Sequence, residues 1–504
     1  MKSFWVQIAN QLHRQRPVHH RPFDELAILE LRGAILRCLK MLSKWSGKPG
    51  TDPQPVKWME LDTSSDALLD GETRVVSWVW FLEDGMHVIC VVEDTIVQVW
   101  NLVSQQRVAS FYAGGTLQRA CKYVDSKKLL VAGSVSIVDA DFNSKDVFKV
   151  WEYQWDNSSD VRAMVEMTIP VEATFTFITG EFAGLVYTDS PEFVDRPSWQ
   201  PGYSDDLNIL VLDLQRPSIV LNCFTPLSIF DQSHTQNLRK NLFRMVRSPD
   251  HIHLHFGETL DFLLYTYSLE TITTLLTQQT RPHNHDDPRI LLPPTCKTSF
   301  QLSDDQSQEL PNGLWTSLGD SCLWDGRRVG FLSGIYRTVG EERQHVLTLS
   351  ALSIEKVGTP PLQDKLSMTE RTVPYSRSLV YVRPQEYDAG HTPDGYWLMS
   401  QPNWAKSAIW TLAPSGNRLQ VEYLVVGRFP DVPLDGAMEK AASVDESEDK
   451  EVSASPFSRG DSVVINITKW IEAGQRVYDL DLDDCQGRVG LGLANGRALI
   501  LEFV

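Results

Sequence analysis

Three histidines alternate at His251, His253 and His255. That spacing puts all three on one face of a β-strand. Imidazoles so placed can hold Zn2+ or Cu2+. No cysteine or carboxylate falls inside the run, so the polar outer face of a strand is the expected role. His283, Asn284, His285, Asp286 and Asp287 form a second polar group, between Pro282 and Pro288. Histidine beside carboxylate suits metal binding or proton transfer, but here the expected reading is a solvated insertion. Asp479, Asp481, Asp483 and Asp484 could gather Ca2+, yet the spacing and glycine of an EF-hand loop are missing. Charge that protects a strand edge is expected instead. Trp78, Trp80, Trp100 and Trp151 could stack on bases, but no basic run accompanies them, and they are expected in the core.

Motifs that carry their own chemistry are missing. There is no G-x-S-x-G elbow, no phosphate loop, no G-x-G-x-x-G and no H-E-x-x-H. No catalytic residue, metal ligand or cofactor is therefore assigned. The expectation is a protein that is not an enzyme.

The chain has 504 residues, more than one ordinary core of roughly 250–300 residues can organise. It needs several domains, or a repeat array that spreads its core over units. Its 15 Trp, with 27 Pro and 30 Gly scattered along the chain, suit many short strands. The net charge of −18 gives no long-range attraction to nucleic acid or anionic membranes. A nucleic-acid face would have to come from Arg239, Lys240, Arg244 and Arg247, which read better as a solvated run before a strand. The seven cysteines (Cys38, Cys90, Cys121, Cys223, Cys296, Cys322 and Cys485) are odd in number, widely spaced and without a C-x-x-C pair. Neither a disulfide framework nor a metal knuckle is expected, and free thiols as core filler fit a reducing compartment. No apolar secretory region and no run of about 18 apolar residues occurs. The expected location is cytoplasmic or nuclear, not secreted and not in a membrane.

Two kinds of element must position these residues. Residues 1–46 read as helical. Phe4, Trp5, Ile8 and Leu12 recur at helical spacing before Pro17. A second helix is predicted from Asp24, with a stripe of Leu26 or Ile28, Leu31, Ile35, Leu39 and Leu42. Residues 47–55 are a Pro/Gly linker. From residue 56 to 504 short strands take over. The clearest unit is Val75 to Phe111, with strands Ser77 to Phe81, Met86 to Val92, Thr95 to Asn101 and Arg107 to Phe111. Four short strands in about 40 residues mark one blade of a β-propeller.

Six further units follow: Ala120 to Ile169, Val171 to Cys223, Leu242 to Leu276, Ser321 to Val357, Ser378 to Val425, and Val477 to the end. Their third strands are expected at Leu207 to Leu214, Phe262 to Tyr267, His345 to Leu352 and Ser407 to Leu412 in the third to sixth units. The fold class is thus mainly β, a seven-bladed propeller preceded by two helices. The last unit is one strand short, and an open ring would leave unpaired backbone at both edges. The strand near Val56 to Leu61 is predicted to pair with the last blade. The insertion 434–460 is acidic, Ser-rich and poor in hydrophobics, so disorder is expected there.

Val99-Trp100-Asn101-Leu102 resembles the Trp-Asp dipeptide of WD-repeat proteins, with Asn for Asp. Val150-Trp151-Glu152 and Ile409-Trp410-Thr411 are looser variants, and the Gly-His element before the first strand is absent, which removes a common hydrogen-bond network. Phe4-Trp5, Leu12, Arg16-Pro17, Glu30-Leu31-Arg32, Ile35-Leu36-Arg37 and Ser43-Lys44-Trp45 are similar to the stretch just after the F-box in fungal F-box/WD-repeat proteins. That resemblance implies substrate recognition for a ubiquitin ligase, with a Skp-type adaptor and ubiquitination substrates as partners. The F-box itself would precede Phe4 and is missing from or truncated in this sequence, so adaptor docking is the point of departure from the family. The overall expectation is a monomeric, non-enzymatic protein-interaction module. The alternative is a propeller-fold hydrolase or metal-assisted lyase, which needs His251, His253 or His285 to meet carboxylates in the central channel.

Overall fold

A computed structural model describes residues 2–13, 16–45, 53–65, 74–138, 144–155, 161–169, 175–188, 206–226, 244–247, 251–257, 261–279, 289–294, 296–301, 322–323, 328–339, 342–353, 377–381, 407–412, 423–428, 462–472 and 475–504. Two helices open the chain, α1 (Lys2–His13) and α2 (Ile28–Lys44). The helix predicted from Asp24 starts four residues later. Ala27 is extended, and its amide donates to Glu30 Oε2 at 3.4 Å, so the first turn is closed from within. The buried stripe of α2 is Leu31, Ala34, Ile35, Cys38 and Met41. Leu39, expected inside, is 46% exposed, and Leu29 and Leu36 are exposed with it. α2 carries two apolar series, and the one holding small Ala34 and Cys38 packs on Ala9, Leu26, Trp5, Ile8 and Leu12.

The other described elements are mostly strands in short sheets, each built from strands nearly consecutive in the chain and antiparallel but for one pairing. After β1 (Lys57–Asp62), the first sheet is β2 (Val76–Phe81), β3 (His87–Val92), β4 (Ile96–Asn101) and β5 (Gln106–Tyr112). These bounds match the predicted unit to within one or two residues. The second sheet is β6 (Thr116–Val124), β7 (Lys128–Val138), β8 (Ser144–Gln154) and β9 (Arg162–Thr168). The third is β10 (Phe175–Ile178), β11 (Phe182–Thr188), β12 (Asp206–Asp213) and β13 (Val220–Pro226), extended by a parallel pairing with β17 (Ile290–Leu291).

The fourth sheet is β14 (Arg244–Arg247), β15 (His251–Gly257), β16 (Asp261–Ser268) and β18 (Cys296–Gln301). The fifth is β19 (Cys322–Leu323), β20 (Arg328–Val339), β21 (Glu342–Ser353) and β22 (Arg377–Tyr381). The sixth has β23 (Ser407–Leu412), β24 (Tyr423–Arg428) and β25 (Ser462–Asn466) among the described residues. The last is β26 (Val477–Asp483), β27 (Arg488–Leu493) and β28 (Arg497–Glu502), completed by β1. First strands of neighbouring sheets face one another: β2 meets β26, β6 meets β10, β10 meets β14, β14 meets β19, and β23 meets β26. Sheets packed radially on their first strands are the blades of a β-propeller.

The predicted closure is present. β1 runs antiparallel to β28 from Lys57 opposite Glu502 to Asp62 opposite Arg497. The N-terminal end of the propeller thus supplies the strand its C-terminal end lacks.

Three unit boundaries differ from expectation. The fourth unit does not end in a strand before Leu276. Leu269–Gln278 is a helix, α3, capped by the Ser268 side chain, which accepts from the Thr271 amide. Ile272 and Leu276 bury into the core shared by the third and fourth blades, so a helical spacing lay inside a region read as strands. The fourth strand, β18, follows the insertion. The fifth unit takes β22, which had been assigned to the start of the sixth. Ser407–Leu412 is the first described strand of the sixth sheet, not its third. Strand patterns identify a strand but not its neighbour, and long connections hid the pairing. The insertion 434–460 lies outside the described residues.

Within the third blade, neighbouring strands pack closely enough to exclude a single methyl. At Gly184 a Cβ would lie 2.5 Å from the Leu210 carbonyl oxygen and against the Phe177 ring. Gly184→Ala is expected to lose about 1–3 kcal/mol, the usual cost of overpacking a core. A denaturant midpoint unchanged from that of the parent chain refutes this.

Candidate functional site

The helical arm and the last blade meet in one buried junction. α2 presents Met41, and the residue that caps its end, Trp45, to the core of the last two blades, beside Leu482, Val489, Leu501 and Phe503. The Trp45 ring meets that of Phe503 edge-on, with centroids 5.8 Å apart, and Lys44 Nζ donates to the Phe503 carbonyl at 2.7 Å. In the turn between β26 and β27, Gly487 has φ +69 and a Cβ there would strike Met41. Only glycine gives both the left-handed turn and the room for the helix.

Polar groups lock the same junction. Arg16 is buried, its guanidinium stacked 4.2 Å over the Trp45 ring and paired with the Asp484 carboxylate. His20 Nε2 lies 3.3 Å from Asp483 Oδ1. Burial opposes charge on His20, but Cys485 and Asp483 outweigh that penalty and hold the imidazole above its usual range. Burial also pushes on Asp483, and the bond from His20 overcomes it and keeps this carboxyl below the usual range. Burial pushes the Cys485 thiol up, while the neighbouring His20 pulls it back down. His20, Asp483 and Cys485 offer ligand atoms that all lie within 4.8 Å of one another.

The aspartates on and after β26 sit on an edge strand, but they are not a solvent-facing charge row. Asp479 Oδ2 accepts from the Val79 amide and Asp481 Oδ2 from the Phe81 amide, each at 2.7 Å. The exposed N–H edge of β2 is thereby satisfied by carboxylates across the ring closure. Asp481, Asp483 and Asp484 are buried.

The histidine run is placed on β15, a strand paired on both sides, by β14 and β16. His253 faces Val246 and Thr266 in register, and His255 faces Arg244 and Leu264. The run is one strand removed from the inner edge of its sheet. His283, His285, Asp286 and Asp287 lie outside the described residues, as do Arg239 and Lys240, while Arg244 and Arg247 belong to β14. Trp100 and Trp151 are core, and Trp78 and Trp80 are half-buried against the core shared by the first two blades.

The Asn that replaces Asp in the Trp-Asp pair does not abolish a network. Asn101 Nδ2 lies 3.0 Å from His87 Nε2, and His87 Nδ1 lies 2.6 Å from Asp84 Oδ2. His87 stacks on Trp155 of the next blade at 4.5 Å. Burial raises the Asp84 carboxyl, but bonds from His87 and the Met86 amide hold it below the usual range.

Reading the sequence alone missed His20 and Cys485. They stand 465 positions apart, and no local spacing joins them. The only linear signal was Asp483-x-Cys485 at the end of an acidic strand.

No protein-family model matches this chain, and no curated protein matches it. Among solved structures it is similar to the β-propeller domain of Cps50 (Swd1) from Myceliophteria thermophila. The identity is 10% and the TM-score 0.44, over 85% of this chain and 98% of that one. The propeller assignment rests on the sheet order and closure described above. No helix among the described residues is long and apolar enough to cross a membrane.

Proposed function

We propose that this chain is a non-enzymatic protein-interaction module, organised as a helical arm (1–46), a linker (47–55) and a propeller (56–504), and that it acts in substrate recognition for an F-box-type ubiquitin ligase. The carrying observation is the arm itself. Arg16, Lys44 and Trp45 tie α2 to the last blade, while the opposite face of α2 leaves Leu29 79% and Leu36 57% exposed. An exposed apolar face on a rigidly seated helix marks a contact with another protein. The similarity of residues 4–45 to the stretch after an F-box names that contact as the Skp-type adaptor side of the assembly. Substrates then belong to the propeller loops, where partner specificity is carried on a rigid scaffold.

Co-expression of the tagged chain with a Skp-type adaptor tests this. The adaptor is expected to co-purify through gel filtration and to be lost with Leu29→Asp/Leu36→Asp, while the variant stays folded. Failure of the adaptor to co-purify with the parent chain overturns the ligase role. It leaves a propeller scaffold detached from ubiquitin transfer.

A further inference from the structure

We propose that His20, Asp483 and Cys485 form a Zn2+ site that fastens the helical arm to the last blade. One imidazole, one carboxylate and one thiol offer donor atoms within 4.8 Å of one another. Zn2+ takes this donor set, and the thiolate with imidazole selects it over Ca2+ or Mg2+. Three protein ligands leave a fourth position for water.

A second observation points to a missing ligand. Asp483 Oδ2 and His20 Nδ1 are buried atoms without a hydrogen-bond partner, and the Asp483 side chain is 1% exposed. Buried polar groups are rarely left so, and two in one cluster mark a place where a bond is made to something else.

The charges close around a divalent ion. Carboxylate and thiolate together supply two negative charges, and the imidazole binds in its neutral form. Binding therefore releases the protons of His20 and Cys485 to solvent. Two cations lie nearby, and the charge of Arg488 also acts on Asp483. Arg16 is paired with Asp484, and Arg488 donates to the Gly85 carbonyl at 2.5 Å and lies 3.7 Å from Glu502. His20 belongs to the segment between α1 and α2, whereas Asp483 and Cys485 border the β26–β27 turn. A shared ion would cross-link residues 463 and 465 positions apart, closing a long loop, which is where a clip stabilises most.

The test uses the full chain and its metal content. After gel filtration in metal-free buffer, one equivalent of zinc per chain is expected by elemental analysis. The Co2+-loaded chain should show a thiolate charge-transfer band in the near ultraviolet. Cys485→Ser should abolish that band, and Asp483→Asn should weaken Zn2+ binding by about tenfold or more. Added Zn2+ should also raise the thermal midpoint of the metal-stripped parent chain. A parent chain that holds no zinc, gives no such band with Co2+ and melts identically with and without Zn2+ overturns the proposal. This outcome is read on the parent alone, so it does not depend on any variant folding, and it is independent of adaptor binding.

Discussion

Leu61→Asp is expected to abolish the soluble, cooperatively folded chain. Leu61 is 1% exposed on the ring-closing strand and packs with Met59, Ile500, Val76, Val79 and Trp100. That cluster belongs at once to the closing strand, the last blade and the first blade. A carboxylate placed there has no partner, and an uncompensated buried charge costs roughly 3–5 kcal/mol. A typical domain holds only about 5–15 kcal/mol in total. The loss also reaches beyond one contact, because an undocked β1 opens the ring and frees the edges of β28 and β2 to pair with other chains. The control lies three residues away on the same strand. Trp58 is 54% exposed, so Trp58→Ser should fall within about 0.5 kcal/mol of the parent. Soluble yield, gel filtration and denaturant unfolding of the two variants read the difference. Equal behaviour of the pair rejects closure by this strand as the main stabiliser.

Arg16→Met should release the helical arm. The change leaves the carboxylate of Asp484 in the junction without its guanidinium, and strips Trp45 of the cation above its ring. Breaking one side of a buried pair costs about 3–5 kcal/mol, whereas removing both charges is far milder. Arg16→Met/Asp484→Asn should therefore recover more than half of the loss. Hydrogen exchange localises the effect. Amides of α2 and of the β26–β27 turn are expected to lose protection in Arg16→Met, while the second and third blades keep theirs. A single variant within 0.5 kcal/mol of the parent, or a double variant no better than the single, would show that the arm is held by Trp45 and Met41 alone. If the arm is released, the ligase reading also predicts that adaptor binding survives while its spacing from the propeller does not.

How much of this was legible depended on distance along the chain. The first blade was readable almost residue by residue. Its turns are short, with Glu83-Asp84-Gly85 and Glu93-Asp94 between alternating apolar runs, and Gly85, Glu93 and Asp94 do take positive φ. The closing strand was readable by elimination, because a propeller that stops one strand short must find it elsewhere. The arm was readable as two helices but not in its facing. Leu39 and Ala34 are both plausible at an interface by type alone, and only the shape of α1 and the last blade selects between them.

Residue types and short spacings determined the mainly β class, the repeat, the closure and the two helices. These follow from period-2 and period-3.6 burial and from turn chemistry within a few residues. Tertiary structure alone decided which strands share the fourth, fifth and sixth sheets, which face of α2 is buried, and that His20 meets Asp483 and Cys485. Backbone hydrogen bonds in a sheet are blind to side-chain identity. Pairing across long connections is therefore settled by where each apolar face finds its complement. A site assembled from two ends of a ring exists only once that ring has closed.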